Sequence, residues 1–225
     1  MSIIGVSILG IFVVMIGSGL LMGVCQISYS SVPTVRNSNR DISTARNYWT
    51  VIVLNVVAIF GTYIGAVLLF SDYLIRSGPT YWYEAILALL FYDFAYYWLH
   101  RVMHTKFLMR YLHGWHHRCR HPTAIDGLYQ RPHETILALS MLMACVALVG
   151  PVSVPSFVFV IFVHTLINML DHANLRTGIG WLDHIMHAHD LHHSSRNVNF
   201  GFTPLWDHVF GTTHKDLKPA ELGES

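Results

Sequence analysis

Residues 81–117 read YWYEAILALLFYDFAYYWLHRVMHTKFLMRYLHGWHH. The first half is apolar and aromatic, with only Glu84 and Asp93 charged before His100. Such a run suits a helix in lipid. It passes directly into two groups of histidines, His100 with His104 and His113 with His116 and His117. A third group, His189-Asp190-Leu191-His192-His193, repeats the HxxHH spacing, with His172 upstream of it. Neutral imidazole is a metal ligand, and so many clustered imidazoles have few other uses.

Outward from this stretch the chain keeps a membrane character. Of its 225 residues 53% are hydrophobic and 12% charged, roughly half the charge of an average soluble domain. A net charge of +1 leaves no basic field for phosphates, so no nucleic-acid partner is expected. Residues 3–27 form one uncharged run without a basic leader and longer than a signal-peptide core, which predicts a retained span. Residues 49–70 form a second span and 81–99 a third. Residues 136–170 are too long for one crossing and short for two. Gly150, Pro151 and Pro155 interrupt them, so a hairpin of two shorter helices that dips in and returns is expected. The predicted fold is therefore all-α: an integral-membrane helical bundle of three spans plus a broken hairpin, capped by histidine-rich helices.

Thirteen of the fourteen Lys and Arg residues fall in segments 28–47, 101–135 and 171 onward; Arg76 is the exception. The excess of basic residues on cytoplasmic loops puts all three segments, and with them every histidine group, on the cytoplasmic face of a multi-pass protein. Cys25, Cys119 and Cys145 are odd in number and imply no disulfide framework. Three regions are expected: two spans in 1–80, a catalytic part in 81–214, and a loose polar tail in 215–225.

His100 and His104, four residues apart, share a helix face. In both HxxHH groups the first histidine pairs with the other two by i+3 and i+4. The nine candidate ligands are His100, His104, His113, His116, His117, His172, His189, His192 and His193. They are too many for one four-coordinate zinc and suit two metal ions with open positions. His121, His184, His187, His208 and His214 lack such partners. His164 shares a helix face with Asn168 and His172; hydrogen bonding within the bundle is its expected role, a tenth ligand the alternative. Asp93, two turns before His100, is a candidate to hold a ligand imidazole or else a nearby Tyr or Trp. Asp171 and Asp190, adjacent to ligands, are candidates of the same kind.

These motifs resemble the fatty acid hydroxylase and sterol desaturase superfamily of integral-membrane di-iron oxidoreductases. The resemblance runs from Asp93-Phe94-Ala95-Tyr96-Tyr97-Trp98-Leu99-His100-Arg101 through the second group, Asp171-His172-Ala173-Asn174 and the third group. It ends at Asn199-Phe200-Gly201 and Trp206-Asp207-His208-Val209-Phe210-Gly211-Thr212, similar to the family's terminal WDxxFGT signature. It covers roughly residues 90–212. Arg131-Pro132-His133-Glu134 departs from the family's HPxE at its first position, and Asn168 stands where some relatives place a histidine, making it a further candidate beside the metal. The resemblance implies two iron ions, O2 as oxidant, and hydroxylation or desaturation of a fatty acyl or sterol-like lipid that enters from the bilayer. It also implies a separate electron donor, cytochrome b-type or ferredoxin-like with its reductase, since the chain is too short and too membranous to hold a fused haem domain. Tyr92, Tyr96, Trp115 and Tyr129 are expected to serve as an interfacial belt and packing, or else to line the lipid's path. Two rival readings are a membrane metal transporter and a bis-histidine haem protein for electron transfer.

Overall fold

The computed structural model describes residues 2–29, 31, 33–35 and 47–217. Arg36, Arg40, Arg46, Lys218 and most of the 215–225 tail lie outside them. Five long helices form the bundle: α1 (Ile3–Ser28), α2 (Tyr48–Leu74), α3 (Trp82–Met103), α5 (Pro132–Val149) and α6 (Val154–Asp171). Short α4 (Lys106–Tyr111), a 3-10 turn (His113–Arg118), α7 (Gly180–Ser195) and α8 (Leu205–Phe210) cap one end. Four of the long helices, α1, α2, α5 and α6, are long and apolar enough to cross a membrane. The fifth, α3, has 22 residues but carries Glu84 and Asp93.

The outer surface fits lipid rather than water. Leu20, Ile27, Leu69 and Leu148 are among many large apolar side chains that are mostly exposed, far beyond the patches a soluble monomer shows. Inside, Ala85 and Ala88 on α3 are fully buried against Leu142 and Val146 on α5 and Phe157 and Val160 on α6. Small residues at such a seam let helix backbones approach closely where water supplies no driving force.

The expected hairpin of two shorter helices is present, with arms longer than the uncharged run marks out. Both arms have 18 residues, about 27 Å of helix, so neither is a shallow dip. The uncharged run understates them because α5 begins at Pro132 and carries Glu134 inside. The break is Gly150, whose φ of 108° is open to glycine and strained for other residues. Val152–Ser153 (β2) then pairs in parallel with Ile75–Arg76 (β1), tying the two loops at the end away from the histidines. Glu84, charged within a predicted span, is there for the same reason. It pairs with Arg76 at 2.5 Å and accepts from the Ser153 N–H at 3.4 Å.

Candidate metal centre

Each histidine group is carried to the same end of the bundle by a different element. His100 lies in the last turn of α3 and His104 caps it. His113, His116 and His117 sit on the 3-10 turn, not the α-helix that their spacing suggested. His172 caps the C-terminus of α6, and α7 presents His189, His192 and His193.

All nine candidates come together, and they divide into two sets. His100, His104, His113, His117 and His192 form one; His116, His172, His189 and His193 form the other. The division follows the HxxHH spacing. The outer pair His113/His117 joins the first set and the outer pair His189/His193 the second, while the middle histidines, His116 and His192, cross over. The first set gains the His100/His104 pair. The second gains His172 alone, because Asn168 stands one turn before it.

In each set the Nε2 atoms converge. In the larger set the separations are 3.0 Å for His100–His113 and His113–His117 and 3.1 Å for His104–His117 and His117–His192. In the smaller they are 3.2 Å for His116–His172, 3.0 Å for His172–His189 and 3.1 Å for His189–His193. Nitrogens bound at about 2.1 Å to one ion and at right angles to each other lie about 3.0 Å apart, and in a tetrahedron about 3.4 Å. The spacing fits an ion of five or six ligands better than a structural zinc.

Most of the rings are turned by their other nitrogen. Nδ1 of His100, His172, His192 and His193 donates to the carbonyls of Phe200 (2.8 Å), Asn168 (2.8 Å), Val198 (2.7 Å) and Cys119 (2.8 Å). His113 Nδ1 meets Glu134 Oε1 at 2.5 Å. A carbonyl only accepts, so the proton of those four rings sits on Nδ1 and their Nε2 is a bare lone pair. His189 Nε2 therefore stands against two bare lone pairs, 3.0 Å from His172 and 3.1 Å from His193, and a proton on it could serve only one of them. The contact left without a proton is repulsive unless a cation lies between.

Burial holds the rings neutral. His113, His116, His117, His189, His192 and His193 are pushed well below the usual imidazole value, first by desolvation and then mainly by neighbouring imidazoles. Desolvation likewise takes His104 to about 3 and His172 to about 4. A group whose pKa is lower folded than unfolded stabilises the fold above its unfolded value and loses that contribution as pH falls through the folded one. Metal-free protein is therefore expected to lose thermal stability progressively below about pH 6.5 and down to about pH 3, as followed by unfolding in detergent across that range. A flat profile would contradict buried neutral imidazoles.

The flanking motifs hold the rings from behind. Asp207 of the WDHVFGT segment accepts from the N–H groups of Phe200 and Gly201 and from Thr212 Oγ1, each at 2.7 Å. This clip fixes Phe200, whose carbonyl orients His100. Asp207→Ala would strand buried N–H groups, and a loss of about 3 kcal/mol is expected in thermal unfolding, with weaker metal retention. Gly127 lies against the His172 ring: a Cβ there would stand 2.8 Å from His172 Cγ.

Two expectations are corrected by the geometry, and a third residue gains a partner. Asp93 holds neither an imidazole nor an aromatic; it accepts from the N–H (3.0 Å) and hydroxyl (2.6 Å) of Thr203 and so anchors the loop that carries Phe200. Asp190 faces His121 at 2.7 Å, giving that histidine a partner the sequence did not suggest. Asn168 supports His172 through its backbone carbonyl rather than its side chain. Asp171 is buried beside His172, and its Oδ1 finds no partner among the described residues. His164 stands apart from both sets, bonded to Tyr63 and Tyr92, as the bundle-bonding expectation had it. Tyr92 and Tyr96 line a cavity between the helices; Trp115 and Tyr129 instead stack on each other at 6.1 Å. The carboxylate that does orient a clustered ring, Glu134, was not among the candidates. Its signal was a lone charge at the start of an apolar helix, inside the RPHE segment.

Comparison with known proteins agrees with this architecture. The fatty acid hydroxylase family matches residues 85–212. The chain belongs to that family. Family membership thus embraces α3 through the Asp207 clip, with all nine clustered histidines. Three relatives show the range of lipids in it. A very-long-chain aldehyde decarbonylase of Oryza sativa subsp. indica is 32% identical over 144 residues, which are 58% of this chain and 54% of that protein. Sphinganine C4-monooxygenase 1 of Arabidopsis thaliana is 31% identical over 139 residues, 57% of this chain and 53% of that one. A probable Delta(7)-sterol 5(6)-desaturase of Neurospora crassa is 31% identical over 148 residues, 60% and 40%. The chain thus spans about half the length, or less, of the curated relatives it matches. No solved structure matches it.

Proposed function

We propose that this chain is an integral-membrane di-iron oxidoreductase that uses O2 to hydroxylate or desaturate a lipid substrate, fatty acyl or sterol-like. The observation that carries the reading is the His172–His189–His193 contact, one Nε2 held 3.0 and 3.1 Å from two bare Nε2 lone pairs within one of two imidazole sets. That donor set suits iron, and its near-right-angle spacing leaves room for non-protein ligands. When bound, two irons supply the activation of O2 that attack on an unreactive C–H bond requires.

The rest is done by the protein. The nine imidazoles stay neutral at pH 7 and hold the metal without added charge. Glu134 and the carbonyls of residues 119, 168, 198 and 200 aim five of them. Beneath them lies a cavity of about 370 Å³, of a size to take part of a lipid. Its walls come from both predicted regions: Met15 and Gly19 of α1 and Phe60 of α2 from 1–80, Ala138 and Leu139 of α5 from 81–214. Region 1–80 therefore shapes the substrate's space as well as anchoring the chain. The basic segments around the histidine end favour a cytoplasmic orientation, where a separate cytochrome b-type or ferredoxin-like donor would deliver electrons.

The rival readings fit the geometry less well. A transporter wants ligands near the bilayer midplane, whereas these lie at the helix ends. Axial imidazoles across a haem iron stand about 4 Å apart, twice a metal–nitrogen bond, and the 3.0–3.2 Å spacing leaves no room for the ring.

Elemental analysis of the protein in mild detergent tests the proposal, beside a His116→Ala/His192→Ala variant. About two irons per chain, falling by at least half in the variant, are expected. Loss of the lipid product of expressing cells should accompany it. Metal unchanged in the variant would overturn the assignment, and a Soret band would favour haem.

A further inference from the structure

At the end of the cavity remote from the metal sets, three polar side chains meet. His164 of α6 bonds through Nε2 to the Tyr92 hydroxyl of α3 at 3.0 Å and through Nδ1 to the Tyr63 hydroxyl of α2 at 3.3 Å. All three are buried and all three line the cavity. His164 stands eight residues before His172, and Tyr92 eight before His100, so the cluster lies about 12 Å along the helices from the metal-facing histidines. On α2, α3 and α6 these are the cavity-lining residues farthest from the histidine end. They form its floor, and the walls between are mostly apolar.

The hydrogens of this floor do not balance. A neutral imidazole brings one N–H, and each tyrosine one O–H. Two bonds within the cluster use two of the three. In either tautomer the surplus O–H belongs to the tyrosine that accepts from the ring. Thr165, which also lines the cavity, can relieve that surplus only where Tyr63 is the accepting tyrosine; where the ring donates to Tyr92, that O–H stays unspent. A buried donor left over inside a bilayer protein calls for an acceptor.

We propose that the floor is a recognition site for a neutral oxygen of the substrate, a hydroxyl or a ketone. The lipid accepted by this chain then bears that oxygen about 12 Å from the carbon oxidised, and a plain hydrocarbon tail fits the floor poorly. An ionised carboxylate is disfavoured there, since no cation stands among the floor groups and a bare charge in the bilayer interior is costly. The inference rests on reading the histidine end as the oxidising centre, but the floor can be tested without metal.

The probe is 2-dodecanone carrying ¹³C at its carbonyl, bound to the full chain in lipid nanodiscs and followed by infrared difference spectroscopy. A carbonyl band moved to lower frequency, in about one-to-one proportion with protein, is expected in the wild type. It should vanish in Tyr63→Phe/Tyr92→Phe, which keeps both rings and removes both hydroxyls. 1-Dodecanol should displace the ketone at roughly tenfold lower concentration than dodecane in the wild type, and at equal concentration in the variant. Only the free-carbonyl band in the wild type, or the same shifted band in the variant, would overturn the proposal and leave the cluster a structural brace. Iron content of the same preparations reports separately on the metal centre. Wild type without iron but with the shifted band would sink the oxidase reading and keep the recognition site.

Discussion

His193→Ala is expected to reduce bound iron from about two ions per chain to about one and to abolish turnover, while His104→Ala keeps about two. The difference comes from the unequal sets. His193 belongs to a set of four, where removal leaves three imidazoles; His104 belongs to a set of five, where four remain. His104 is also the one clustered ring that is not buried, and its Nε2 lies 3.1 Å from that of His117. His193 is buried, held by the Cys119 carbonyl and in contact with His189. Elemental analysis of the two single variants, prepared together, checks this. Equal iron in both variants would show that the ions do not divide the histidines as the geometry does.

How far the sequence went can be seen residue by residue. The nine histidines were legible because clustered imidazoles on one face of a membrane protein have few other uses. Their division was not. It depends on α7 and the 113–118 turn approaching so that middle and outer histidines trade partners, and spacing along one chain cannot show an exchange between two. Asp93 was misread for a simple reason. Seven residues before His100 is the right face but about 10 Å too low, and only the fold brings Thr203 beside it. The two arms of the hairpin were read short because charge marked their limits, while helix geometry continues through Pro132 and Glu134 once His113 gives that carboxylate a partner. The 28–47 segment, which carries part of the orientation argument, lies mostly outside the described residues.

That partnership yields the second large effect. Glu134→Ala is expected to weaken iron binding and turnover by about 10- to 100-fold, the usual range for a residue that orients a metal-binding histidine. Glu134 is buried and its Oε1 lies 2.5 Å from His113 Nδ1. Without it, His113 keeps a buried unpaired N–H, a cost of about 1–3 kcal/mol, or flips its tautomer and turns a proton toward the metal. The damage would spread, because His113 Nε2 stands 3.0 Å from both His100 and His117, so one misaimed ring disturbs three of the five. Glu134→Gln separates orientation from charge. Its amide oxygen can still accept from Nδ1, so the tautomer survives, but the charge that makes the ring a stronger ligand is lost. Titration against a chelator should rank wild type above Gln and Gln above Ala. Gln as weak as Ala would assign the effect to charge alone. Ala as tight as wild type would mean that the ring is positioned by its neighbours and that the short contact contributes nothing to the site.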